Sequence, residues 1–112
     1  IGQHDIYVTD FSSTIRWAIA ARKPVVNFDL YRFGLPTYEG VPGVFSPTTA
    51  AGFREAIGPL VADDEAYGRA AAAQAAASGD WGTLDGRNFE RLCELADALR
   101  KPVAGANARR VP

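Results

Sequence analysis

The sequence predicts an α/β fold in which a small parallel sheet is flanked by helices. Two short stretches rich in β-branched and aromatic residues, 5–9 and 24–28, are separated by one helical segment. A strand, a crossover helix and a second strand in such close succession indicate a right-handed parallel βαβ unit. The second half of the chain shows apolar residues at helical spacing. With 112 residues, 47% of them hydrophobic, the chain suffices for one domain at most.

The first half of the chain is predicted to form the βαβ unit itself. Residues 5–9 suit a buried strand, and 10–13 then supply turn and N-cap side chains. A helix is expected over 13–21. Its inner face is a stripe of three apolar residues at helical spacing: Ile15, Ala18 and Ile19. Pro24, after Lys23, ends this helix and opens the second strand over 24–28.

A long loop and three further helices complete the predicted fold. Residues 29–43 contain three Gly and two Pro without periodicity, and long loops in compact domains are usually functional. Residues 44–46 could form a short third strand. The helices are expected at 49–61, 64–77 and 87–100. The first carries an apolar stripe made of Phe53, Ala56, Ile57, Leu60 and Val61. The second is rich in alanine, and Asp85 is predicted to cap the third.

The single cysteine is interpreted as a structural residue. Cys93 recurs at helical spacing with four apolar residues: Phe89, Leu92, Ala96 and Leu99. This spacing predicts a small core residue, and one cysteine cannot form an internal disulfide. Because the sequence has neither a CxxC motif nor a Cys/His cluster, we expect no metal site.

Composition excludes several classes of function. The net charge of −1 gives no basic footprint for nucleic acid. Neither GxGxxG nor GxxxxGK[ST] is present, so we expect no nicotinamide cofactor and no ATP hydrolysis, and no cofactor is predicted at all. No apolar run has the length of a membrane span, and no signal peptide opens the chain. A cytoplasmic location is therefore expected, with the inner face of the membrane as an alternative.

The turn after the first strand is the motif most suited to binding a ligand. Ligands of open parallel sheets lie beyond the carboxyl ends of the strands, where helix N-termini point. Ser12, Ser13 and Thr14 lie there and add hydroxyl groups with little bulk. We therefore predict a diphosphate at these three residues. The competing interpretation is a helix cap with solvated hydroxyls.

The order of motifs resembles the C-terminal nucleotide-sugar-binding domain of GT-B glycosyltransferases. An apolar strand ends in Asp10, Ser12 and Ser13, a helix follows, and a strand returns after Lys23 and Pro24. The segment DGRNFER at 85–91 is also similar to the turn that begins the closing helix of these proteins. The resemblance is closest to capsule and surface-polysaccharide transferases, including the CDP-glycerol glycerophosphotransferase group. It implies a partial Rossmann-like parallel sheet with flanking helices.

The resemblance also implies a reaction and its participants. A nucleotide-activated sugar or polyol donor would be bound through its diphosphate, and a hydroxyl of a carbohydrate acceptor would attack it. The base would reside in an N-terminal domain of the same protein, so the catalytic residue is unknown. Family members often place a Glu in the first helix to bind ribose. Because this chain lacks it, Arg16 or Trp17 takes that role, or ribose is held from elsewhere.

Other residues near the strand ends are candidate donor or ribose contacts. Asp10 ends the first strand, and three candidates follow the second: Asp29, Tyr31 and Arg32. An acidic side chain could accept from sugar hydroxyls, while arginine could offset phosphate charge. A loop cap and a packing tyrosine are equally open interpretations. Tyr38 and Glu39 are weaker candidates, and His4 is expected to face solvent.

The chain is expected to be part of a longer protein. It contains no methionine, and a strand is predicted only four residues from its start. We expect 1–101 to be the C-terminal part of the domain and 102–112 to be a flexible tail. Without its N-terminal domain, the fragment is expected to self-associate through an open sheet edge.

Two other functions are weighed against a transferase. Enzymes similar to UDP-N-acetylglucosamine 2-epimerase share the fold, but their turn usually reads Asp-Ser-Gly-Gly with two Glu residues soon after. This chain has Ser-Ser-Thr and no Glu pair. The other alternative is a non-catalytic nucleotide-binding or scaffolding module.

Overall fold

A computed structural model describes residues 5–100 and shows an α/β fold with a small open sheet. The strands are β1 (Tyr7–Thr9), β2 (Val25–Asn27) and β3 (Val44–Phe45), in the order β1-β2-β3. Both pairings are parallel. The predicted parallel βαβ unit is therefore confirmed, although each strand is shorter than predicted.

Four helices flank this sheet: α1 (Ile15–Ala20), α2 (Ala50–Ala62), α3 (Asp64–Ala77) and α4 (Asn88–Arg100). Three of them agree with prediction to within one residue at each end. The first differs, because residues 13 and 14 belong to the preceding turn. It ends in a Schellman motif, in which Lys23 N donates to Ala18 O at 2.9 Å. Arg22 takes the left-handed conformation of this motif, with φ 59°. The helix therefore ends before Pro24 is reached.

The helix α1 covers one face of the sheet. The predicted stripe of Ile15, Ala18 and Ile19 is fully buried. It packs with Val25 of β2, and Tyr7 of β1 lies against the same cluster. Because successive strand residues point to opposite faces, Val26 belongs to the other layer.

The helices α2 and α3 cover the second face. Val26 is buried there with Leu60 and Ala70, and three further residues of the predicted α2 stripe pack against them: Phe53, Ala56 and Ile57. The prediction is wrong only for Val61, which is 71% exposed. It lies at the edge of the apolar stripe and does not belong to the cluster that packs on the sheet.

The prediction that Cys93 is a core residue is wrong. The helix α4 has no buried residue, and Cys93 is exposed together with Phe89, Leu92 and Leu99. The spacing gave a correct helix, but nothing in residues 5–100 covers its apolar face. The prediction that Asp85 caps this helix is also wrong: the helix begins at Asn88, and the Asp85 carboxylate accepts the amide of Arg87, in the turn before it, at 3.0 Å. Hydrogen bonds from Arg91 and from that amide lower the pKa of the Asp85 carboxyl.

Some predictions concern the chain ends or its neighbours. His4 and the predicted tail at 102–112 lie outside the described residues. β1 pairs only with β2, so no strand of the described range lies along its other edge. Self-association through that edge stays a prediction. Within 5–100, no helix is long and apolar enough to cross a bilayer.

Candidate functional site

A cleft of about 210 Å³ opens where the carboxyl ends of the three strands meet. Its lining comes from the segments that follow β1, β2 and β3: Phe11, Asp29, Gly34, Leu35, Pro36, Glu39, Ser46 and Thr48. This is the edge at which open α/β sheets bind ligands. The volume is smaller than the 300–1,000 Å³ typical of a complete ligand pocket, so the cleft has room for part of a nucleotide donor.

The turn between β1 and α1 begins at one wall of this cleft. Phe11 lines the cleft and has φ 35°, a left-handed conformation that is uncommon for a residue with a side chain. Its backbone amide donates to Oδ1 of Asn27 at 3.0 Å. Asn27 is the last residue of β2 and only 1% exposed. A buried amide on the neighbouring strand therefore holds the turn in place.

The loss of this amide is expected to destabilise the turn. In an Asn27→Leu variant the Phe11 N–H loses its acceptor, while the branched shape and the number of side-chain heavy atoms are kept. We expect the free energy of unfolding to fall by about 1–3 kcal/mol, because a buried donor without a partner carries its desolvation penalty. Urea denaturation measures this loss. Unchanged stability in Asn27→Leu would show that the hydrogen bond does not hold the turn.

The three predicted phosphate-binding residues differ in their hydrogen bonding. Ser12 Oγ lies 2.5 Å from Thr14 Oγ1, and it also accepts the Thr14 amide at 3.2 Å. Thr14 Oγ1 is further hydrogen-bonded to the hydroxyl of Tyr7. Ser13 is exposed and makes no side-chain hydrogen bond within 5–100. Ser12 and Thr14 thus shape the turn, and Ser13 offers the hydroxyl that is free to meet a ligand.

Backbone amides in the turn and in the first residues of α1 are also free. Ile15 N donates to Ser12 O at 3.1 Å, and Trp17 N donates to Thr14 O at 3.0 Å. The amides of Ser13 and Arg16 donate to no acceptor in the described part of the chain. With only six residues, α1 adds a weaker dipole than the predicted helix of nine would. The donors themselves are therefore the main attraction for an anion.

The carboxylates of Asp10 and Asp29, which follow β1 and β2, differ in their hydrogen bonding. Asp29 is 4% exposed, and its two oxygens accept the Phe33 amide at 2.8 Å and the Gly34 amide at 2.9 Å. This is the loop cap that the sequence left open, although Asp29 also lines the cleft. Asp10 has a buried Oδ1 without a hydrogen-bond partner. A buried acceptor of this kind is uncommon in folded proteins.

Of the candidates described so far, Asp29 lines the cleft, whereas Asp10, Ser12, Ser13 and Thr14 do not. The remaining candidates also lie outside the cleft lining, with one exception. Tyr31 and Arg32 are exposed in the loop after β2, and Arg16 and Trp17 are exposed on α1. Glu39, a weaker candidate by sequence, does line the cleft.

Tyr38, the other weaker candidate by sequence, packs inside the loop, whereas Tyr31, for which packing was the alternative interpretation, is exposed. Tyr38 is buried against Trp81, with ring centroids 5.6 Å apart, and its hydroxyl donates to Ser12 O at 3.4 Å. Tyr38 therefore supports the turn through this hydrogen bond.

Several residues at the site were not predicted. Two of them are Phe11 and Phe33, whose rings continue to the predicted Tyr31: Phe11 lies 6.1 Å from Phe33, which lies 5.7 Å from Tyr31. Ser46 and Thr48 close the opposite wall after β3. Asn27 could have been found, since a polar residue at the end of an apolar strand needs a buried partner. The lining residues of the loop carry no comparable signal, because its path has no periodicity.

Comparison with protein-family models, with curated proteins and with solved structures found no match to this chain. Within the described range, no three metal-ligating side chains come together.

Proposed function

We propose that the chain binds the diphosphate of a nucleotide-activated sugar or polyol donor, as part of a glycosyl- or glycerophosphotransferase for bacterial surface polysaccharide. The observation that carries the proposal is the cleft at the carboxyl ends of three parallel strands, directly beside the Ser12–Ser13–Thr14 turn. Ligand sites of open α/β sheets occur at this edge. The motif order resembles that of GT-B donor domains and supports the same location.

Each group at the turn has a specific role in this proposal. The free amides of Ser13 and Arg16 and the Ser13 hydroxyl donate to phosphate oxygens, and the Arg16 guanidinium offsets their charge. The buried Oδ1 of Asp10 accepts from a donor hydroxyl when the turn adjusts to the ligand. None of these groups is assigned as the base.

The reaction would then be a group transfer to an acceptor hydroxyl. With a sugar donor, the acceptor oxygen forms a bond to the sugar carbon while the bond from that carbon to the phosphate oxygen breaks, and the nucleoside diphosphate leaves. With a polyol donor, the acceptor oxygen forms a bond to the phosphorus that carries the polyol while the P–O–P bond breaks, and the nucleoside monophosphate leaves. The acceptor proton passes to a base contributed by the N-terminal domain. Hydrogen bonds to the departing phosphates stabilise the negative charge that develops on them.

A scaffolding module is the second candidate function. The observation that favours it is the internal pairing of Ser12 and Thr14, whose hydroxyls stabilise the turn without any ligand. In that case the turn would only begin α1, and nucleotides would not bind.

Calorimetric titration of the chain with UDP, CDP and uridine separates the two candidates. A donor site predicts saturable binding of UDP or CDP that is much tighter than binding of uridine, since hydrogen bonds to charged groups contribute about 1.5–3 kcal/mol each. A diphosphate that binds no better than the nucleoside would overturn the donor site.

A further inference from the structure

We propose that the aromatic cluster Phe11, Tyr31 and Phe33 is the surface on which the nucleobase of the donor stacks. This inference rests on the proposed function and adds to it the subsite for the base. Phe33 is 62% exposed and Tyr31 is 68% exposed, and Leu35 beside them is also largely open. Exposed apolar groups gathered in one patch are typical of a binding surface.

The cluster is continuous with both parts of the proposed donor site. Phe11 lines the cleft and immediately precedes Ser12 in the turn. The Phe33 ring packs against it at 6.1 Å with an angle of 82° between the ring planes. A nucleotide whose diphosphate lies at the turn can therefore bring its base, which follows the ribose, to these side chains.

The backbone that carries Phe33 is fixed in the absence of ligand. The buried carboxylate of Asp29 accepts the amides of Phe33 and Gly34, and Asp29 N donates to Pro47 O at 3.0 Å. The loop is thus tied to the segment that follows β3. A ring presented on a fixed backbone loses less conformational entropy when a ligand stacks on it.

The cleft beside the rings suits a single flat ring with polar edges. Its volume of about 210 Å³ is too small for a whole nucleotide sugar. The hydroxyls of Ser46 and Thr48 and the carboxylate of Glu39 lie in its lining and can hydrogen-bond to the edge of a base. Aromatic side chains bind the π-face of any base, so stacking provides affinity while these polar groups provide selectivity.

Titrations of UDP and inorganic pyrophosphate against Phe33 variants test the proposal. In Phe33→Leu an apolar side chain remains but the stacking face is lost. We expect UDP binding to weaken by roughly fivefold to a hundredfold, since stacking of one base on an aromatic side chain contributes 1–3 kcal/mol. Pyrophosphate binding should not change, and Phe33→Tyr should retain the affinity for UDP. Phe89→Leu is the matched control, because Phe89 is exposed on α4 and away from the cleft.

The outcomes distinguish failure of the stacking surface from failure of the donor site. Equal affinity for UDP in Phe33→Leu and in the original chain would overturn the stacking surface and leave the diphosphate site intact. Equal weakening of UDP and pyrophosphate would also overturn it, because the ring would then act by supporting the turn. Absence of binding of both ligands to the original chain would overturn the donor site, and the stacking surface with it.

Discussion

The substitution Gly43→Ala, which adds one methyl group, is expected to lower the free energy of unfolding by about 3 kcal/mol. Gly43 has φ 76°, a left-handed conformation that costs an L-residue roughly 1–2 kcal/mol. A Cβ at this position would lie 2.7 Å from Gln74 Cβ and 2.8 Å from the carbonyl oxygen of Ala70. Overpacking of this kind costs a further 1–3 kcal/mol or so. The loop cannot move away freely, because Gly43 O accepts the Val25 amide at 2.9 Å.

Gly40→Ala is the matched control for this effect. Gly40 lies in the same loop with φ 74°, but no atom lies within 4 Å of the position that its Cβ would take. Only the conformational cost of about 1–2 kcal/mol then applies. Urea denaturation of both variants measures the difference. Equal losses in the two would show that close packing of the loop on α3 is not what requires glycine.

The charge of a carboxylate at Ser13 is expected to abolish binding of the donor. Ser13 is exposed, and its own backbone amide and that of Arg16 donate to no acceptor in the described part of the chain. In Ser13→Ala one hydrogen bond to phosphate is lost, and binding of UDP or CDP should weaken about tenfold or more. In Ser13→Asp the hydrogen bond is lost and a carboxylate also repels the negatively charged phosphates at close range, so we expect a loss of roughly a hundredfold or more.

Two controls separate charge from shape in this prediction. Ser13→Asn has nearly the size of Ser13→Asp but no charge, so its affinity should resemble that of Ser13→Ala. Thermal unfolding should show that Ser13→Asp is at least as stable as the original chain, because an acidic residue near a helix N-terminus is favourable. Nucleotide affinity that is unchanged in Ser13→Asp would remove the donor from this turn.

Periodicity predicted most of the fold because it reflects which side chains are buried. The stripe of Ile15, Ala18 and Ile19 gave the face of α1 that covers the sheet. The same reasoning gave α2 to within a residue at each end, whereas α3 was predicted from its alanine-rich composition. It failed for α4, whose stripe is real but uncovered among the described residues. A pattern shows that a face can be buried, whereas burial itself needs a second surface.

The site was predicted only where local chemistry fixes it. The turn at 12–14 follows from its hydroxyls and its place after a strand. The hydrogen bond between Ser12 and Thr14, which leaves the Ser13 hydroxyl unpaired, accompanies the approach of Tyr7 to Thr14 and was not evident from the sequence. The cleft lining and the rings of Phe11 and Phe33 depend on the path of an aperiodic loop. That path is set by the Asp29 carboxylate through two backbone amides.

Mapping of UDP onto the chain by amide chemical shifts is the most direct test of the central claim, that the carboxyl edge of the sheet binds a nucleotide diphosphate. We predict saturable shifts that are largest over 11–16, with smaller ones at Gly34, Leu35 and Thr48 in the cleft. The amides of α4 should remain unchanged and provide the internal reference. Saturable shifts centred on another surface, such as the groove between α2 and α3, would contradict the claim, and so would a titration without saturable shifts.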